Sequence, residues 1–173
     1  IFEGTEESYY LPVFTLYGDE LGAASQFVIP ASELSAMNGS TITSMKFYSN
    51  GFGGGTALDA TWKGFVKEVN YTEMTQFEDP ASGTEIYNGI VTVNNDEMVI
   101  DFATPYHYNG GNLLIGFDVV ESASWTNCVF LGINPGYNAS VFKTYSSNPC
   151  QFIPVMDITF MILVLRPPPS FRW

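Results

Sequence analysis

Basic residues are scarce in this chain. Six Lys and Arg stand against eighteen Asp and Glu, a net charge of −12. That balance excludes nucleic acid as a natural partner, because binding it needs clustered Lys and Arg to neutralise phosphates. An anionic membrane surface is disfavoured for the same reason. Long apolar runs are missing too. The longest, Phe160–Leu165, reads as a strand and falls far short of the roughly 20 residues of a spanning helix, so no membrane insertion is expected. Runs of Ala, Leu, Glu and Lys are absent, which removes the usual material of helices. Histidine occurs once and cysteine twice.

Those last two scarcities bound the chemistry. His107 is the single imidazole available to a Ser-His-Asp triad or a Cys-His pair, and no G-x-S-x-G elbow accompanies it. One histidine and two distant cysteines do not match zinc spacing. The chain is therefore not expected to be an enzyme. Cys128 and Cys150 are too few for a disulfide framework and leave two readings open. Paired, they would close a loop of about 22 residues and contribute about 3 kcal/mol. Unpaired, they are two thiols.

Strand formers are plentiful. Aromatics make up 16% of the chain, with sixteen Gly and ten Pro to break it into short elements. The stretch Glu97–Val120 (EMVIDFATPYHYNGGNLLIGFDVV) organises the rest. Met98, Ile100 and Phe102 alternate with Glu97, Val99 and Asp101, the pattern of a strand with one face on a core. A turn is expected over Thr104–Gly111. Leu113–Val120 is almost wholly apolar, as in a strand that is covered on both faces or has one edge lying deep.

Further strands are expected at Tyr9–Tyr17, Ser25–Ile29, Thr41–Tyr48, Trp62–Val69, Glu85–Val93, Cys128–Ile133, Val141–Tyr145 and Pro154–Leu165, with Ala31–Leu34 as a helical turn after Pro30. In Thr41–Tyr48, Met45 and Phe47 share a face that Ile42 does not, so a bulge is predicted. Lys46, Lys63 and Lys67 give their strands a solvated side. Nine or ten strands without helices predict an all-β, two-sheet sandwich, one domain over residues 1–165. Residues 166–173 (RPPPSFRW) belong to a Pro-rich tail or linker. The short acidic start, Ile1–Glu7, reads as a mature or trimmed terminus rather than a signal peptide.

Several side chains are candidates for recognition. Tyr106, His107, Tyr108 and Asn109 lie in the central turn; Trp125, Asn134 and Tyr137 lie in or beside later loops. Flat aromatic surface with amide and carboxylate hydrogen bonds is what a glycan needs at a sandwich rim. The competing reading packs these aromatics under the loops. Acidity suits Ca²⁺, which takes carboxylate and carbonyl oxygens. Asp118 with Glu121 is the metal candidate, beside the acidic stretches Asp19-Glu20, Glu73–Asp79 and Asn94–Glu97; none has EF-hand spacing. Glu97 with Asp101, or Asp118 with Glu121, are the carboxylate pairs a glycosidase would need.

Four segments, in order, carry a likeness: SQFVIPASEL (Ser25–Leu34), GSTITSMKFYSNG (Gly39–Gly51), EIYNG (Glu85–Gly89) and IDFATPYHYNGGNLLIGFDV (Ile100–Val119). Together they resemble the cleaved-adhesin domains of gingipain haemagglutinin regions and of other secreted bacterial proteins. The resemblance implies a jelly-roll β-sandwich of galactose-binding-like type. It implies export to the medium or the bacterial cell surface, and neighbouring domains in the same polypeptide. It also implies structural calcium and adhesion to a glycan or an extracellular host protein. An accessory domain that joins other domains is the alternative role, and a glycoside-acting enzyme a more distant one.

Overall fold

The computed structural model describes residues 1–14, 22–51, 55–122, 128–143 and 145–164, and of residues 55–59 the backbone alone. Twelve strands run through them: β1 (Glu6–Ser8), β2 (Ala24–Ile29), β3 (Thr41–Tyr48), β4 (Gly55–Val69), β5 (Thr84–Asn94), β6 (Glu97–His107), β7 (Asn112–Glu121), β8 (Phe130–Ile133), β9 (Ser140–Lys143), β10 (Asn148–Cys150), β11 (Ile153–Pro154) and β12 (Met156–Met161). Helical structure among the described residues is limited to single 3₁₀ turns, at Ala31–Glu33, Ser35–Met37 and Pro80–Ser82. The expected all-β class holds.

Nine strands form one antiparallel sheet in the order β10-β9-β2-β7-β4-β5-β6-β3-β12, and β1-β8-β11 form a second, three-stranded sheet. One hydrophobic core joins them. Phe27, Phe47, Trp62, Ile100 and Phe117 come from the large sheet, Phe130 and Ile153 from the small one. Phe47 sets its ring edge-on to both Phe27 and Phe117, with centroids 6.1 and 6.2 Å apart, the arrangement that aromatic quadrupoles favour.

Local patterning explains most of this. In β6 the buried residues are Met98, Ile100 and Phe102, while Val99 and Asp101 are exposed. In β7, Leu113 to Phe117 are all buried, because the strand faces the main core on one side and a smaller cluster on the other. That outer cluster holds Val28, Phe65, Met74, Leu114 and Val141. The predicted bulge in β3 is present: the register against β6 shifts between Ile42 and Ser44. Ile42, Met45 and Phe47 all reach the core as a result.

Three expected boundaries differ. The run Tyr9–Tyr17 is not a strand where it is described. The strand precedes it, at Glu6–Ser8, and the Ser8 hydroxyl accepts from the backbone N–H groups of Tyr10 (3.0 Å) and Leu11 (3.3 Å). This turns the chain inward and buries Leu11, Val13 and Phe14. The turn expected over Thr104–Gly111 is shorter, because β6 continues to His107. Pro105 lies in the irregular stretch of the β3–β6 ladder, where its missing N–H breaks no regular pair. The run Pro154–Leu165 is divided at Val155: Ile153–Pro154 pairs with β8 in the small sheet, and Met156–Met161 with β3 in the large one. Strand β10 was not anticipated; Pro149 at its centre argues against a strand by composition, yet β10 is a sheet edge, where a proline is tolerated. Residues 166–173 lie outside the described residues.

Candidate functional site

The central turn is held from a distance. Glu68, near the end of β4, accepts from the backbone N–H of Gly111 (2.8 Å) and of Asn109 (3.0 and 3.1 Å). It also accepts from Asn109 Nδ2 (3.0 Å) and the Tyr106 hydroxyl (3.1 Å). Burial works against the charge on Glu68, but the bonds from Gly111, Asn109 and Tyr106 together outweigh it and lower the pKa. Gly111 is needed at close quarters: a Cβ there would stand 3.2 Å from Glu68.

This anchor decides the fate of the predicted recognition residues. Tyr108 is 1% exposed and donates to the Gly111 carbonyl at 2.7 Å, so it is core. Tyr106 is half-buried with its hydroxyl on Glu68; burial first, then the neighbouring carboxylate, push its pKa to about 12. Asn109 is exposed, but its amide is spent on Glu68 and on the His107 carbonyl (3.4 Å). His107 is exposed at the end of β6, opposite Thr41. Tyr137 is half-buried against the core, and burial, Glu33 and Glu73 raise its pKa. Asn134 accepts from Gly136 N at 2.8 Å in its own turn. Trp125 lies outside the described residues, as do Asp19 and Glu20. The turn residues therefore come together as a structural knot, not as an open aromatic platform.

The cysteines are two separate thiols. Of the two readings the sequence leaves open, the structure therefore has the one without a Cys128–Cys150 disulfide. Cys128 is buried with its sulfur 3.3 Å from Ser49 Oγ, while Cys150 sits on edge strand β10, paired with Ser140 of β9. Burial raises the pKa of both. The carboxylates of Glu97 and Asp101 lie on the solvent face of β6, and Glu97 pairs with Lys46 at 3.2 Å.

A groove lies elsewhere, on the outer face of the large sheet. Residues 70–83 form a strap across that face. Met74 is buried in the outer cluster, and Gln26 holds Glu78 in both directions, accepting from its N–H (2.8 Å) and donating to its carbonyl (2.9 Å). Lys67 Nζ reaches Glu78 Oε2 at 3.1 Å, and the Tyr71 hydroxyl donates to Glu78 Oε1. Those two bonds lower the pKa of Glu78, that from Tyr71 more than that from Lys67. Two glycines allow the close packing. A Cβ on Gly116 would lie 2.3 Å from the Phe65 ring, and one on Gly83 would lie 2.6 Å from it. The ring therefore packs closely against both glycines.

Beside this strap opens a groove of about 500 Å³, lined by Lys63, Phe65, Asp79, Pro80, Gly83, Glu85 and Asp118 among others. A smaller hollow of about 270 Å³ shares Pro80 and Asp118 and adds Gln26, Phe77 and Lys143. Asp118 thus sits between the two. Lys63 is opposite it on β4 but pairs with Glu85 at 2.8 Å. Lys143 lies over the Phe77 ring, 4.4 Å from its centre. Burial raises the pKa of Asp118, and the charges of Lys143 and Lys63 only partly offset this.

The register between β4 and β7 shifts at Thr61/Trp62, so that Glu121 stands opposite Thr61 and Asp118 opposite Lys63. Glu121 accepts from the Thr61 hydroxyl at 3.1 Å. Two ammonium groups face Asp118, and no cluster of three or more His, Cys, Asp or Glu able to hold a metal occurs among the described residues. Sequence reasoning selected Asp118 as a metal candidate and missed Glu68, Phe65 and the strap. Two signals were available, Gln26 in the fully buried strand β2 and Gly116 within the apolar run Leu113–Phe117 of β7. No family model matches the chain, and no curated protein or solved structure matches it either.

Proposed function

We propose that the chain is a non-catalytic recognition module of a secreted or cell-surface protein, binding a glycan or an extracellular host protein in the groove at Asp118. The observation that carries this reading is an open groove with charged and apolar walls that contains a half-buried carboxylate with no hydrogen bond or ion pair among the described residues. Burying a carboxylate without partners costs free energy, and a ligand that supplies them would recover it. The likeness of four segments to cleaved-adhesin domains supports the extracellular setting and the jelly-roll form of the sandwich. The glycoside-acting alternative has less support: Glu97 is tied to Lys46, and the one histidine stands exposed at a strand end.

The experiment is an array of glycans and extracellular matrix proteins, probed with wild type and with Ala81→Trp, which fills the groove. Binding lost in the variant supports the reading. Binding retained places recognition elsewhere, and no binder to the wild type at millimolar concentration removes it. Structural calcium, implied by the likeness alone, is tested by melting with and without Ca²⁺, since a ligand of the folded form raises Tm. One observation favours the accessory role as a second reading. Met161, Ile162, Leu163 and Val164 are 60%, 66%, 82% and 80% exposed, a run of apolar surface suited to a neighbouring domain of the same polypeptide.

A further inference from the structure

The groove has little that a saccharide could stack on. Phe65 is its one aromatic and is only 2% exposed. In the adjoining hollow, the Phe77 ring already carries Lys143. The groove has instead an excess of negative charge: Asp79, Glu85 and Asp118 against Lys63. The three carboxylates are not equally engaged. Glu85 holds Lys63. Asp79 uses Oδ1 to accept from Ala81 N at 2.9 Å, capping the 3₁₀ turn. Asp118 makes neither a hydrogen bond nor an ion pair with any described residue. Lys63 and Lys143, the two cations that face it, are turned to Glu85 and to Phe77.

We infer that the groove takes a basic side chain of a protein partner, arginine in preference to lysine, which pairs with Asp118. This rests on the groove being the recognition site and narrows its ligand from glycan or protein to a cationic protein segment. A guanidinium is planar and presents a fork of donors, so it can serve carboxylates from the strap and from the sheet at once. The Pro80–Gly83 wall offers apolar contact to its methylene stem. The chain's net charge of −12 draws a cationic partner toward the groove over a longer range.

The test is a titration of isotope-labelled protein with N-acetyl-argininamide, followed by the backbone amide resonances. N-acetyl-citrullinamide, the same shape without the charge, is the matched probe. The arginine probe should produce saturable shifts at Gly83 and Gly116 to Val119, and citrulline should not. Asp118→Asn should weaken the arginine probe about tenfold, and Asp101→Asn, on the solvent face of β6, should leave it unchanged. About 0.3 M salt should weaken it several-fold. Equal binding of citrulline, an unaffected Asp118→Asn variant, or shifts confined to other strands would overturn the inference. An oligosaccharide that moves the groove amides while arginine does not would overturn it and leave the recognition reading intact. Silence to arginine and to every oligosaccharide and protein of the array would remove both.

Discussion

Glu68 and Asp118 are half-buried carboxylates on adjacent strands of one sheet, β4 and β7, and their surroundings treat them oppositely. Glu68 is encircled by donors from Tyr106, Asn109 and Gly111. Asp118 is desolvated without receiving one. The difference separates two uses of an acidic residue. A carboxylate whose hydrogen-bonding capacity is filled from within the fold stabilises that fold. One that is left unfilled beside a groove costs stability and has capacity to spare for a ligand. Natural proteins tolerate such local costs at functional sites.

Substitutions can break or sharpen this contrast. The largest effect is expected from Glu68→Ala, which strands the amides of Asn109 and Gly111 and the Tyr106 hydroxyl. We expect a loss of about 3 kcal/mol in urea unfolding, in the range for hydrogen bonds to a charged group and for donors left unmade. A loss below about 1 kcal/mol would mean that the turn holds itself. Next comes Gly116→Ala on the Asp118 side. Its new Cβ would meet the Phe65 ring at 2.3 Å, and overpacking of this kind costs about 2 kcal/mol. It should also disturb the groove amides more than those of the central turn. Tyr108→Phe removes a single hydroxyl bond to Gly111 and should cost about 1 kcal/mol by the same unfolding assay. The smallest effect is Asp118→Asn, with Tm at pH 7 equal to that of the wild type or higher. A clear fall in Tm would show that Asp118 serves the fold after all.

The contrast also explains what could be read from the chain in advance. Alternation in β6, the doubly covered β7 and the bulge at Ile42–Ser44 depend on neighbours in sequence, and all were legible. The inward turn after Ser8 was not, because Tyr9–Tyr17 has a strand's composition and only the Ser8 hydroxyl diverts it. The site was harder still. Nothing near Tyr106–Asn109 announces that a glutamate 41 residues earlier ties them down. Asp118 was visible as an acidic residue on a strand. The lysines that face it come from β4 and β9, and the strap that builds the groove is pinned by a Gln26–Glu78 clamp spanning 52 residues. Long-range partners decide whether a polar side chain is structural or available, and local pattern does not contain them.

Linkage between protonation and folding tests this account most directly. Glu68 has a lowered pKa, so its stabilising contribution is present above the ordinary carboxylate pKa and is lost as pH falls through its folded value. Asp118 has a raised pKa, so its relative contribution is present at low pH and is lost as pH rises through its folded value. The measurement is urea unfolding of wild type, Glu68→Gln and Asp118→Asn from about pH 3 to pH 7. The penalty of Glu68→Gln should grow as pH rises. Over the same interval Asp118→Asn should become progressively more stable than the wild type. If both differences move in the same direction with pH, the two carboxylates are not opposites, and the groove has no spare acid to offer.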